Sequence, residues 1–283
     1  MRESAEGYLD TSGGTWTNGQ ARDCAAVRCA STTRGARLER EGNHTMQLDR
    51  SVALITGASR GLGREIARLY AARGARLVIT ARAPEQLFAV RDELAPLTDL
   101  LALPADVSDP AQALALVDAA LSRFGRVDVL INNASAIGPS PMPPLDRYPL
   151  DALEDVFRTN VVAPLHLVQL VLPHMRRAGQ GVVVNVTSDA GVNAYPGWGG
   201  YGATKAALEH VSRTLAAELE NTGIQIYAVD PGDMNTQMHH EAEPGVDLSH
   251  LPGPALSAPA FVDLVEHDTR PYARIEAQAL IPA

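Results

Sequence analysis

The sequence predicts an α/β fold: a doubly wound, mostly parallel seven-stranded sheet with helices on both faces. Three observations predict it. Short β-branched apolar runs alternate with stretches of helical period. The runs are apolar throughout, as in strands buried on both faces, not at every second residue. The first run ends in a glycine-rich turn that opens a helix.

The elements follow in order. "SVALIT" is a strand, "LGREIARLYAARG" a helix closed by Gly74, and "ARLVITA" a second strand. "PEQLFAVRDELAPL" reads as a helix, "LLALPAD" as a strand, "DPAQALALVDAALSRFG" as a helix and "VDVLIN" as the fourth strand. A long helix around 150–176, the strand "GVVVNVTS", a helix from about 200 to 221 and the strand "IQIYAVD" come next. "PAFVDLVE" is a short helix and "YARIEAQAL" a final edge strand. Right-handed crossovers between such strands give the doubly wound arrangement. We expect residues 46–283 to form one domain, with a substrate loop at about 232–258.

Residues 1–45 differ. They are polar, glycine-rich and of mixed charge, without a hydrophobic period. Such a composition buries too little apolar area to offset the entropy of ordering, so a disordered tail is expected. We read Met46 as the natural start; a disordered functional extension is the alternative. No secretory or organellar signal pattern is present in the tail. Its Cys24 and Cys29 are the chain's two cysteines, read as reduced bystanders. A cytoplasmic setting fits. The 283 residues carry a net charge of −9 and a pI near 5.4, which argues against nucleic acid or an anionic membrane as partner. "VVAPLHLVQLVLP" is interrupted by His166, Gln169 and prolines and reads as a buried amphipathic helix, not a membrane span.

The turn after the first strand, "TGASRGLGREIA", points to a nucleotide. Its glycines permit a tight turn and let backbone amides at a helix N-terminus approach a pyrophosphate. Gly57, Ser59, Arg60, Gly61, Leu62 and Gly63 are the candidate phosphate cradle. The end of the second strand, where a carboxylate would take a ribose 2′-hydroxyl, holds Ala81 and then Arg82. Arg82 and Arg60 can both pair with a 2′-phosphate, so NADP(H) is expected over NAD(H). Asp106 and Val107 end the third strand, where they can meet an adenine or simply make a turn. Asn132, Asn133 and Ala134 end the fourth, the asparagines supporting the cofactor site.

"NVTSDAG" sets Ser188 at a strand end, thirteen residues before Tyr201 in "GYGATK". Lys205 lies one helical turn beyond Tyr201, on the same face. Alone, that pair also describes a surface lysine beside a packed tyrosine. Asn160 sits inside a helix, a mildly unfavourable place for asparagine that points to a site role.

TGASRGLG, NNAS, Asn160, Ser188, YGATK and "DPGDMNT", in this order, resemble the short-chain dehydrogenase/reductase family over residues 48 to 240. The resemblance implies a single Rossmann-like domain, a nicotinamide cofactor, and oxidation or reduction at an alcohol or carbonyl carbon. It makes Tyr201 the acid or base. Lys205 would lower the tyrosine pKa and hold the nicotinamide ribose. Ser188 would polarise the substrate oxygen, and Asn160 would support a water path to Lys205. Pro231, Gly232 and Thr236 would border the nicotinamide. Two preplaced hydroxyl donors also suit the negative charge that hydride transfer builds on oxygen.

Three features depart from the family pattern. Ser135 stands where glycine is usual, and Asp189 follows Ser188 as an acidic wall or a turn cap. The C-terminal part lacks the usual glycine-rich closing strand, the region through which the implied homodimer or homotetramer would pair. Ala136, Ile137, Met142, Tyr195, Trp198, Met234 and Met238 are candidate walls for a small hydrophobic carbonyl or alcohol substrate. His239 and His240 read as rim residues, and no metal is expected. The expected function is an NADP(H)-dependent carbonyl reductase or alcohol dehydrogenase. The alternatives are a nucleotide-binding sensor without turnover and a dehydratase or epimerase on the same scaffold.

Overall fold

The computed structural model of the chain describes residues 45–280; both cysteines and nearly all of the expected tail lie outside them. Seven strands form one sheet: β1 (Val52–Thr56), β2 (Arg76–Thr80), β3 (Leu100–Ala102), β4 (Val129–Asn132), β5 (Gly181–Val186), β6 (Ile224–Asp230) and β7 (Tyr272–Glu276). Their order is β3-β2-β1-β4-β5-β6-β7, and every pairing is parallel, β7 on the edge included. The sheet is thus wholly, not mostly, parallel. Strand order reverses between β1 and β4, and the crevice at their carboxyl ends is where such sheets take ligands.

The described residues form eight α-helices: α1 (Gly61–Ala72), α2 (Pro84–Leu94), α3 (Pro110–Phe124), α4 (Leu150–Phe157), α5 (Ala163–Ala178), α6 (Gly199–Glu218), α7 (Gln237–Ala242) and α8 (Pro259–His267). Alternate residues of β1 feed two cores. Ala53 and Ile55 pack with Ile66 and Tyr70 of α1 and Phe261 of α8, while Val52 and Leu54 pack with Leu116 of α3 and Leu167 of α5. Helix α3 shows how local sequence sets the boundaries. The Asp109 carboxylate accepts from the Ala111 and Gln112 amides, Pro110 opens the first turn, and Gly125 ends the helix in a left-handed conformation.

The long helix expected near 150–176 is present but not uniform. A five-residue π-helical stretch, Arg158–Val162, joins α4 to α5 and carries Asn160. The combined segment, Leu150–Ala178, is long and apolar enough to cross a membrane by length and composition alone. Here Leu167, Val168, Val171 and Met175 instead pack on the sheet. The predicted helix to about 221 closes earlier, at Glu218, and the last strand is shorter than "YARIEAQAL" suggests, turning into a 3-10 helix at Ala277.

Buried polar groups hold the central strands in register. Asn132 and Asn185 are opposite each other on β4 and β5, and the Asn132 amide donates to Asn185 Oδ1 at 2.8 Å. Asn185 in turn donates to Ser212 Oγ at 2.8 Å, pinning α6 to the sheet. At the other end Asp128, 2% exposed, accepts the Val52 amide at 2.8 Å and Arg126 Nε at 2.7 Å. Asp128→Ala strands that amide at the start of β1. We expect a loss of about 1–3 kcal/mol in urea unfolding, with unchanged fold by circular dichroism; wild-type stability would contradict this role.

Candidate active site

A cleft of about 1150 Å³ runs along the carboxyl edge of the sheet. At one end lies the β1–α1 turn. Gly57 adopts φ +65°, and a Cβ on Gly63 would stand 2.4 Å from the Gly57 carbonyl oxygen. Only glycine permits so tight a loop. Asn133 braces it: its side-chain amide donates to the Thr56 and Gly57 carbonyls at 2.8 and 3.1 Å. Thr56 Oγ1 accepts from the Asn133 and Ala134 amides at 3.0 and 2.9 Å. No side chain caps α1, so the first-turn amides have no side-chain acceptor. Across the cleft, Thr236 Cγ2 is 3.9 Å from the position of a Cβ on Gly61.

Most expected cofactor residues line this cleft: Gly57, Ser59, Arg60, Gly61, Leu62, Arg82, Asp106, Val107, Asn133, Ala134, Pro231, Gly232 and Thr236. Gly63 does not; its part is the close packing beneath the loop. Arg60 lies 3.8 Å from the Glu241 carboxylate of α7, an exposed pair. Asp106 shows the turn chemistry left open by its sequence position, its Oδ1 accepting from the Ser108 amide and hydroxyl at 2.9 and 2.7 Å.

Helix α6 brings the catalytic candidates to the other end of the cleft. A Cβ on Gly202 would sit 2.4 Å from the Ala190 carbonyl oxygen, so its absence lets the turn after β5 press against α6. Ser188 and Tyr201 meet there. The Tyr201 hydroxyl shares the cleft with the hydroxyls of Ser135 and Ser188. Ser188 Oγ also donates to Asp189 Oδ1 at 3.0 Å, and Asp189 Oδ2 accepts from the Tyr195 hydroxyl at 2.6 Å. Trp198 stands edge-on to Tyr201 with centroids 5.8 Å apart.

Lys205 is the one lysine among 24 basic residues. It is 2% exposed, donates to the Val186 carbonyl at 2.9 Å, and holds its ammonium 5.2 Å from the Tyr201 ring centroid. Burial pulls its pKa down to about 8, against an upward pull from Asp230. The Tyr201 pKa is raised, contrary to the expectation of a lowered value. Burial is the largest cause, helped by Asp230 and Asp189, and outweighs the opposing influence of the neighbouring Ser135 and Ser188.

Asn160 uses its whole hydrogen-bonding capacity. Its Oδ1 accepts from Ser135 Oγ and the Ala136 amide at 3.1 and 2.8 Å, and its Nδ2 donates to the Ala136 carbonyl and Thr204 Oγ1 at 2.8 and 3.0 Å. It lies behind the cleft wall and fastens the loop after β4 to α6.

Of the expected substrate wall, Ile137, Asp189, Tyr195, Trp198, Met234 and Met238 line the cleft. Ala136 and Met142 do not: Ala136 is turned into the Asn160 clamp, and Met142 backs the apolar cluster of Ile137, Ala190, Tyr201 and Ala242. His239 lines the cleft, edge-on to Trp198 at 6.1 Å, whereas His240 bonds Asn235 outside it. Sequence reasoning missed Asp230, which lines the cleft although it reads as the last residue of an apolar strand. It also missed Leu248, Leu251 and Pro254 as individual wall residues.

Known proteins resemble the chain in sequence and in fold. The family model described as short chain dehydrogenase matches residues 51–247. The 7α-hydroxysteroid dehydrogenase of Escherichia coli (strain K12) is 34% identical over 192 residues, covering 68% of this chain and 74% of that protein. A solved 7α-hydroxysteroid dehydrogenase, complexed with NADH and 7-oxo glycochenodeoxycholic acid, superposes with a TM-score of 0.74 at 31% identity, over 81% of this chain and 93% of that one. A Shigella flexneri short-chain dehydrogenase complexed with NADP gives 0.76 at 28% identity, over 83% and 100%. With a family model spanning more than half its length, and the glycine turn and the Ser188–Tyr201–Lys205 cluster on one cleft, the chain belongs to the short-chain dehydrogenase/reductase family.

Proposed function

We propose that the protein is an NADP(H)-dependent oxidoreductase that interconverts an apolar ketone or aldehyde and its alcohol. The observation that carries this reading is the shared cleft, with an uncapped glycine turn at one end and a buried tyrosine, two serines and a buried lysine at the other. The residues present fit a nicotinamide dinucleotide: Gly57 and Gly63 close the turn too tightly for a Cβ, and the first-turn amides of α1 have no side-chain acceptor, as a pyrophosphate site requires.

Tyr201 gives its proton to the substrate oxygen in reduction; in oxidation its phenolate takes the alcohol proton. Pro231, Gly232 and Thr236 would border a bound nicotinamide, whose chemistry would be to supply or remove hydride at the neighbouring carbon. Burial holds Tyr201 protonated, which suits the acid role. Lys205, mostly ammonium near neutral pH, brings a fixed positive charge that opposes this effect and makes the phenolate accessible. Ser188 supplies a second donor to the oxygen once its proton turns from Asp189 to the substrate. Asn160 supports the reaction by positioning the Ser135–Ala136 loop against α6.

NADP(H) is favoured because β2 ends in Arg82 without a carboxylate beside it, and Arg60 reaches the same end of the cleft. Arg60 would exchange its Glu241 contact for a 2′-phosphate. The two solved relatives above carry NADP and NADH respectively, so likeness alone favours neither. Ile137, Trp198, Met234 and Met238 make the substrate end apolar, in keeping with a hydrophobic substrate such as the steroid relative's name indicates.

A panel of apolar ketones and secondary alcohols, followed by nicotinamide absorbance, tests the reading directly. Tyr201→Phe should lower kcat about 100- to 10,000-fold while dinucleotide affinity is kept; full activity in that variant would remove Tyr201 from the chemistry. Arg82→Ala should weaken NADPH binding roughly 10- to 100-fold and leave NADH within about twofold. Equal losses for both nucleotides, or tighter NADH binding by the wild type, would overturn the cofactor preference without touching the fold.

A further inference from the structure

The roles above leave a buried carboxylate without one. Asp230, the last residue of β6, is 5% exposed and lines the cleft. A carboxylate withdrawn from water needs compensation. Its Oδ1 accepts the Gly232 amide at 2.9 Å, and its Oδ2 lies 3.4 Å from the guanidinium of Arg274 on β7. Arg274 is shared: the same side chain is 3.1 Å from Glu209 Oε1 and 3.1 Å from Glu276 Oε1. Glu209, 6% exposed, also accepts from Thr187 Oγ1 at 2.8 Å. On α6 it stands one turn beyond Lys205, as Lys205 stands one turn beyond Tyr201.

Three carboxylates therefore share one guanidinium. The Lys205 ammonium reaches the same place: it donates to the Val186 carbonyl, and Val186 is paired on the sheet with Val229, the residue before Asp230. Lys205 feels Asp230. Tyr201 feels Asp230 and Asp189. Asp230 itself feels Arg274, Asp189 and Glu276. Asp230 acts on both members of the pair.

The geometry points to Asp230 as a positioning residue for the reaction: a buried counter-charge, anchored to the edge strand through Arg274, that keeps Lys205 an ammonium and Tyr201 a phenol. This rests on the reading of Tyr201 and Lys205 as the acid/base pair. It also gives the atypical C-terminal strand a part in the active site, since Arg274 comes from β7.

The single lysine makes the test direct. Full-length protein grown on isotope-labelled lysine shows one lysine side-chain resonance, and its pH titration reports Lys205. Asp230→Asn keeps an oxygen for the Gly232 amide and removes the charge. The Lys205 midpoint should fall by about one pH unit, while Asp230→Glu should return it close to the wild-type value. Both groups then lose protons more readily, so the kcat profile for alcohol oxidation should move to lower pH in Asp230→Asn, with KM little changed. Should that variant fail to fold, Asp230→Ser carries the same expectation. A midpoint in the neutral variants coinciding with the wild type's would overturn the proposal, as would lower thermal stability in the Asn and Glu variants alike with no movement of the resonance. The lysine titration needs no substrate. If no carbonyl compound is turned over, the oxidoreductase reading fails while the Asp230–Lys205 coupling is still decided.

Discussion

The site depends on one fully satisfied amide. Asn160 sits in a π-helical stretch between two α-helices and makes four hydrogen bonds, three to the loop after β4 and one to Thr204 on α6. A buried amide with every donor and acceptor engaged tolerates little displacement, because each broken bond leaves a polar group stranded in a medium that cannot solvate it. The loop carrying Ser135 and the helix carrying Tyr201 and Lys205 are thereby held to a common reference. The π stretch is part of the same device: local π-helical widening is a known accompaniment of functional sites.

Close approach is the second constraint. Two glycines without room for a Cβ, Gly63 and Gly202, bring backbone against backbone at the two ends of the cleft. One brings α1 against the turn that would cradle the cofactor phosphates, and the other brings the turn after β5 against α6. The site is assembled from elements that the sheet already delivers to its carboxyl edge; the glycines and the asparagines decide how closely they meet.

Electrostatics within this frame oppose one another. Burial raises the tyrosine pKa and lowers that of the lysine, and Asp230 pushes both upward. The charges are carried by different layers: Tyr201, Lys205 and Glu209 by one ridge of α6, Asp230 by β6, and Arg274 by the edge strand. An edge strand is usually the most dispensable part of a sheet, yet here its arginine is the cation that compensates the carboxylates beneath the cleft.

The sequence by itself determined the layers, the parallel sheet, the glycine turn, the strand-end position of Ser188 and the spacing of Tyr201 and Lys205 on one helix face. Each is a local signal: an apolar run, a helical period, a turn residue, or two side chains one helical turn apart. Only the tertiary structure decided that Ala136 turns into a clamp instead of facing substrate, that Asn160 braces from behind the wall, and that Asp106 is spent on its own turn. It alone brought Asp230 to the cleft that holds Lys205 and joined it to Arg274, forty-four residues away in the chain. Those outcomes depend on which groups meet across the sheet and how much water remains around them. Burial and long-range pairing, which set the pKa of Tyr201 above its usual value despite a neighbouring lysine, are properties of the packed molecule and have no local signature in the chain.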